Sequence, residues 1–147
     1  MANIGFMLSD NSRLLRRVFD ERVREIGVTG PQARLLLTLA REGSRNQGFY
    51  AEELEVEPIT LCRMVDRLEE SGMVERQRDP NDRRAWQIRL TAKAEDRVAE
   101  LRKCVEGMME DTLTGLTIAD RDQLVHCLDV MGRNLGARRA LSETVDG

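Results

Sequence analysis

The side chains here with the most distinctive chemistry are arginines, whose planar guanidinium forks match phosphates and guanine edges better than a lysine ammonium does. Seven of the twenty-one lie in the stretch from Pro58 to Thr91, on a short amphipathic helix and the hairpin that follows it. Leu61, Met64, Val65 and Leu68 recur at helical spacing and make one apolar face, which leaves Thr60, Arg63 and Arg67 on the opposite one. Beyond that helix, Val74–Arg78 and Trp86–Leu90 read as two short strands around the turn Asp79-Pro80-Asn81-Asp82-Arg83-Arg84. From Arg76 to Arg89 five arginines face two aspartates, a local charge of +3 in a chain whose total is −3, so the remainder carries −6. A basic hairpin on an acidic body suits contact with a polyanion through one surface, with affinity that falls as salt rises.

Other chemistries find little support. There is no glycine-rich phosphate loop and no nucleophile motif, and the single histidine leaves acid–base work to scattered carboxylates. No enzyme, catalytic residue or cofactor is therefore expected. His126 and Cys127 are neighbours that point apart on a helix, so no metal site is expected either. Cys62, Cys104 and Cys127 are odd in number and widely spaced, which argues against a disulfide framework and fits a reducing compartment. No apolar run approaches the roughly 20 residues of a membrane span, and Met1–Leu8 lacks a basic region ahead of an apolar core. A cytoplasmic location is the expectation. With 147 residues, 41% apolar and 33% charged, the chain has the composition of a soluble globular protein.

The elements that must position these arginines follow from periodicity and turn chemistry. Leu15, Val18, Phe19, Val23 and Ile26 predict a helix from Ser12 to Ile26, its start open to extension upstream and its end at Gly27. Thr29 caps a second helix with Pro31 in its first turn and Gly43 after its end. Ser44–Gly48 reads as a polar loop, Phe49–Leu54 as a short third helix and Glu55-Val56-Glu57 as the turn before Pro58 opens the arginine-bearing helix, which Gly72 ends. After the hairpin, Thr91 is expected to cap a long helix to about Leu113, and Thr117 with Asp120 to form the capping box of a last helix reaching about Leu141. The fold class is mainly α with a small β-hairpin. A helix that fills a major groove beside an arginine-tipped hairpin that enters a minor groove describes a winged helix-turn-helix.

That domain is complete from residue 29 to 91, so the helices in 1–28 and 92–147 are surplus to it. Their apolar faces need a partner, and a second copy of the chain is the simplest one. A symmetric dimer would set two recognition helices about 34–36 Å apart, one turn of DNA.

At this point the residues resemble the MarR family of transcriptional regulators over nearly the whole chain. The likeness rests on Leu61-Cys62-Arg63-Met64-Val65-Asp66-Arg67-Leu68-Glu69, Gly72-Met73-Val74-Glu75-Arg76, Asp79-Pro80-Asn81-Asp82-Arg83-Arg84 and Leu90-Thr91. The resemblance implies a homodimer on double-stranded DNA at a palindromic operator, acting as a repressor. Release would come from a small aromatic or phenolic effector, or from cysteine oxidation. By motif position, Arg84 would enter the minor groove with Asp82 bracing its guanidinium, while Arg83 meets phosphate and Arg78 completes the basic wing. Pro58, Ile59, Thr60 and Arg63 would face bases, and Arg67 would anchor the backbone.

This chain also departs from the family pattern. Ala94 stands where a glycine is common, and Pro58 and Ile59 replace small polar residues, which favours apolar contacts such as thymine methyls. Tyr50 is expected to pack inward. Cys62 reads first as a small core residue, although its oxidation on the recognition helix would block docking. An effector pocket is expected between the wing domain and the dimer helices. Arg13, Arg16 and Arg17 form a charge run that reads as a solvated face and offers cations to a carboxylate ligand. The competing class is a winged helix that binds protein; such a wing has no need of Arg76, Arg78, Arg83 and Arg84 together.

Overall fold

The computed structural model describes residues 2–145, with side chains described from 2 to 136. Its elements are α1 (Ile4–Arg24), α2 (Gly30–Glu42), β1 (Arg45–Asn46), α3 (Gln47–Glu53), α4 (Pro58–Glu70), β2 (Val74–Arg78), β3 (Trp86–Leu90), α5 (Ala94–Thr112) and α6 (Ile118–Val145). They fall into two compact units, Met1–Met108 and Met109–Gly147.

In the first unit the core forms where the apolar faces of α1, α2, α4 and α5 meet the sheet. Val23, Leu35, Leu36, Leu61, Val65, Ile88 and Leu101 are fully buried, and truncating any of the leucines to Ala should cost roughly 2–5 kcal/mol. The sheet runs in the order β1-β3-β2 and is antiparallel throughout. Its register sets Val74 opposite Leu90, Arg76 opposite Ile88 and Arg78 opposite Trp86. Val74 and Ile88 turn inward and hold the base of the hairpin to the core.

Local chemistry explains most boundaries. Thr29 and Gln32 form a reciprocal capping box at the start of α2. Gly30 leaves room there for the Asp20 carboxylate, which pairs with Arg34 at 2.8 Å and ties α1 to α2; a Cβ would lie 1.9 Å from Asp20 Oδ1 and force that side chain to move. Tyr50 packs inward as expected, and its hydroxyl donates to the Gly43 carbonyl. Burial, with the Glu42 charge beside it, pushes that phenol up to about 12. Glu55, in the tight turn between α3 and α4, has φ 54° and is the one non-glycine in the left-handed region among the described residues.

Three boundaries differ from the sequence reading. Helix one starts at Ile4, capped by Asn3, whose side-chain oxygen accepts from the Phe6 amide at 3.1 Å. Ser44–Gly48 is not simply a loop, because Arg45–Asn46 pairs with β3 and Asn46 caps α3 by accepting from the Phe49 amide at 2.8 Å. Thr91 does not cap α5 with its side chain. Its hydroxyl donates to the Gly72 carbonyl at 2.5 Å and closes the hairpin onto the end of α4, while Ala94 sits fully buried in the first turn of α5.

In the second unit the predicted capping box is present: Thr117 N–H donates to Asp120 Oδ2 at 2.9 Å and Asp120 N–H donates to Thr117 Oγ1 at 3.1 Å. Hydrogen bonding to the Asp120 carboxyl from the Thr117 backbone amide first, and from the Thr117 side chain second, holds it below the usual carboxylate range. The helix runs on to Val145, past the expected end near Leu141. Leu124, Leu128 and Leu135 lie along one exposed stripe of it, at 40%, 46% and 69% exposure. No described helix is long and apolar enough to cross a membrane.

Candidate nucleic-acid interface

Helix α4 presents Pro58, Ile59, Thr60, Arg63 and Arg67 outward, all exposed. Pro58 occupies the first turn, where its fixed φ and missing N–H are harmless, and Glu57 ahead of it supplies no side-chain cap. The first turn of α4 therefore offers open backbone amides and the bare side chain of Ile59, 64% exposed. Neither Arg63 nor Arg67 has a counter-charge among the described residues.

The hairpin tip is organised from within. Asp79 accepts from the Asn81 amide at 2.8 Å, and the Asp79 amide donates to the Ala85 carbonyl at 3.1 Å. Asp82 Oδ1 accepts from the Arg84 backbone amide at 3.0 Å. The carboxylate thus fixes the backbone of Arg84 and does not brace its guanidinium, a correction to the sequence reading. The side chains of Arg83 and Arg84 project unpaired into solvent. Arg78 lies 5.0 Å over the Trp86 ring and donates to the Arg83 carbonyl at 3.3 Å, so it stiffens the tip from below.

The five hairpin arginines are therefore not equivalent. Arg89 Nε lies 2.5 Å from Glu75 Oε1. Arg76 is turned away from the surface, its side chain 15% exposed. Its Nη1 lies 2.7 Å from Asp66 Oδ1 and 3.1 Å from Glu69 Oε1, its Nε donates to Gln47 Oε1 at 2.7 Å and its Nη2 to the Cys62 carbonyl at 3.1 Å. Burial works against its charge, but the Asp66 hydrogen bond and the Asp66 and Glu69 charges outweigh it and raise the pKa. Counting Arg76 among phosphate-facing groups was thus wrong: at this spacing an inward and an outward arginine look alike. Cys62 is half-buried in the same cluster, its Sγ 3.6 Å from Arg76 Nη2, rather than on the outer face of α4.

Sequence reasoning missed Arg45. Pairing of β1 with β3 sets it opposite Ile88, and its guanidinium lies 4.8 Å over the Phe49 ring at the edge of the same surface. Nothing local signals a two-residue strand whose partner lies some forty residues away. Asn46, Gln47, Pro58, Arg84 and Trp86 line a cleft of about 330 Å³ that joins this edge to α4 and the wing.

The sequence profile of the MarR family matches residues 28–86, the stretch that holds α2 to the start of β3. The transcriptional regulator PA3341 is 32% identical over 92% of this chain and 99% of its own, with a TM-score of 0.79. The chain belongs to the MarR family. A MarR transcriptional regulator from Methanosarcina mazei Go1 is 26% identical over 89% of this chain and 94% of its own, TM-score 0.79. A MarR variant from E. coli, crystallised in complex with operator DNA, is 22% identical over 87% of this chain and 92% of its own, TM-score 0.72.

As a MarR-family transcriptional regulator, the protein also offers a second cavity. Leu15, Phe19, Leu37, Leu54 and Met108 line an apolar cleft of about 290 Å³, with Arg16 and Arg34 among its walls. Arg34 is committed to Asp20. Of the three helix-one arginines singled out in the sequence, Arg13 pairs with Asp10 at 2.9 Å, Arg17 is exposed, and Arg16 alone lines the cleft. His126 and Cys127 join no cluster of three or more metal-ligating side chains among the described residues.

Proposed function

We propose that this regulator binds a palindromic operator in duplex DNA as a homodimer and represses transcription until a small effector releases it. One observation carries the reading. The unpaired guanidiniums of Arg63, Arg67, Arg83 and Arg84 share the helix-and-wing surface, while Arg76 and Arg89 are neutralised by carboxylates. A surface that leaves its cations free at the helix and the wing tip suits a polyanion. Thr60, Arg63 and Ile59 would meet base edges, Arg67 and Arg83 phosphates, and Arg84 a minor groove narrow enough to concentrate negative potential.

Self-association is supported by the exposed apolar residues Ile4, Phe6, Met7 and Leu8 on α1 and, separately, by the Leu124–Leu128–Leu135 stripe on α6. The apolar cleft with the unpaired Arg16 suits a small aromatic or phenolic carboxylate, whose ring would replace water and whose charge would meet the guanidinium.

Titration of the purified protein into a labelled duplex from upstream of its own gene, beside a scrambled duplex and at several salt concentrations, tests the reading. Tight, salt-sensitive binding to the native duplex is expected. Absence of binding to either duplex at low salt would overturn it in favour of a protein partner.

A further inference from the structure

We propose that Arg76 is a positioning residue that locks the wing to the recognition helix, so that the two read DNA as one rigid body. The inference rests on the DNA-binding reading above and adds to it a residue that touches no DNA. Among the described residues, no polar contact of β2 beyond Arg76 reaches outside the hairpin: the Arg78 side chain bonds to the Arg83 carbonyl and stacks on Trp86, and the turn residues bond to one another, while on β3 the pairing with β1 ends at Gln87, level with Gln77. Arg76 is the last tie on that strand, and it is a three-way one. From β2 it reaches Asp66, Glu69 and the Cys62 carbonyl on α4 and Gln47 at the head of α3, while its own amide donates to Glu69 Oε2 at 3.2 Å. Only a guanidinium has enough donors in fixed directions to hold all of these at once.

The lever arm makes the tie matter. At about 3.3 Å per strand residue the tip lies on the order of 13 Å beyond Arg76, so a 10° swing there moves Arg84 by about 2 Å, enough to break a hydrogen bond. A loosened wing would still meet phosphates, because those contacts tolerate displacement. Sequence discrimination, which needs helix and wing in register, would not survive.

The test uses the full-length protein and a duplex selected from a random-sequence pool by the wild-type chain, beside its scrambled counterpart. Arg76→Gln, Arg76→Lys and the paired change Asp66→Asn with Glu69→Gln are compared, with circular dichroism as the folding control. A lock predicts that all three lower the ratio of selected to scrambled affinity at least tenfold while scrambled-duplex affinity stays within about threefold. Combining Arg76→Gln with the carboxylate changes should lose no more than either alone. The anisotropy of Trp86, the single tryptophan, should fall in the free variants as the wing gains motion. A phosphate-contacting Arg76 predicts the opposite sign for the carboxylate changes, because Arg76 would be released and both duplexes would bind more tightly; that result, or an unchanged ratio, overturns the proposal. If Arg76→Gln fails to fold, the carboxylate variant decides alone. Failure to select any duplex would strike at the DNA-binding reading itself, an outcome distinct from a selected duplex whose recognition ignores Arg76.

Discussion

Arg84→Ala and Arg89→Ala remove the same charge from the same hairpin, yet they should differ sharply in effect. Arg84 is exposed with no partner, at a backbone position fixed by the 3.0 Å bond from its amide to Asp82. In the homodimer proposed above two such tips would meet DNA, so the change would delete two groove contacts. Even about 0.7 kcal/mol from each gives roughly 1.4 kcal/mol, a tenfold weakening. Arg89 is half-exposed and spent on Glu75 at 2.5 Å. A surface pair of this kind is worth about 0–1 kcal/mol to the fold and leaves little charge to offer DNA, so Arg89→Ala should change duplex affinity less than about threefold. Arg83→Ala should reduce the slope of log affinity against log salt by about 1.8, from two phosphates at roughly 0.9 each. Fluorescence anisotropy titrations at four salt concentrations would read all three variants. If Arg89→Ala matched Arg84→Ala in both affinity and slope, pairing within the hairpin would not decide which arginines meet DNA, and the division drawn here would fail.

Gly30→Ala should destabilise the first unit by about 1–2 kcal/mol, because the new Cβ displaces Asp20 and breaks its ion pair with Arg34. In an Asp20→Ala background the same change should be neutral or stabilising, and thermal melts of the four proteins would expose any failure of that reversal. Glu55→Gly should be neutral to stabilising by up to about 1 kcal/mol, since relief of the left-handed φ outweighs the added chain entropy, whereas Glu55→Val should destabilise; urea midpoints in the order Gly, Glu, Val check it. The Asp120 carboxyl is held below its usual value, so its contribution is fully present above the ordinary carboxylate pKa of about 3.9 and is lost as pH falls through the depressed folded value. Hydrogen exchange at the Thr117 amide should therefore accelerate, beyond its intrinsic rate, only in that acid range. Asp120→Asn should abolish the transition; a transition that persists would locate the proton elsewhere.

Much of the candidate site was legible because its signals are local. Periodicity placed Leu61, Val65 and Leu68 inward and Thr60, Arg63 and Arg67 outward on α4, and the Asp-Pro-Asn-Asp turn delimited both strands to the residue. What escaped was non-local. Arg76 and Arg78 alternate with Gln77 along β2 and read alike, but one meets two carboxylates on α4 and the other meets an indole across the hairpin. Asp82 was paired with the wrong group of the right residue, since a short carboxylate in a turn reaches a backbone amide two residues on more readily than a mobile guanidinium.

The sequence alone determined which segments are helix, which strands bracket the wing and where the chain concentrates positive charge, because hydrophobic period, caps and turn residues act over a few neighbours. Only the tertiary structure decided which of those charges are free. Satisfying Arg76 takes its own strand, two carboxylates and a carbonyl on α4 and an amide on α3, a set that no spacing along the chain encodes. Placing Arg45 beside the wing likewise takes a strand pairing across the whole of α3 and α4. Charge counts follow from composition; the surface that remains to meet a partner follows from which donors the fold has already satisfied.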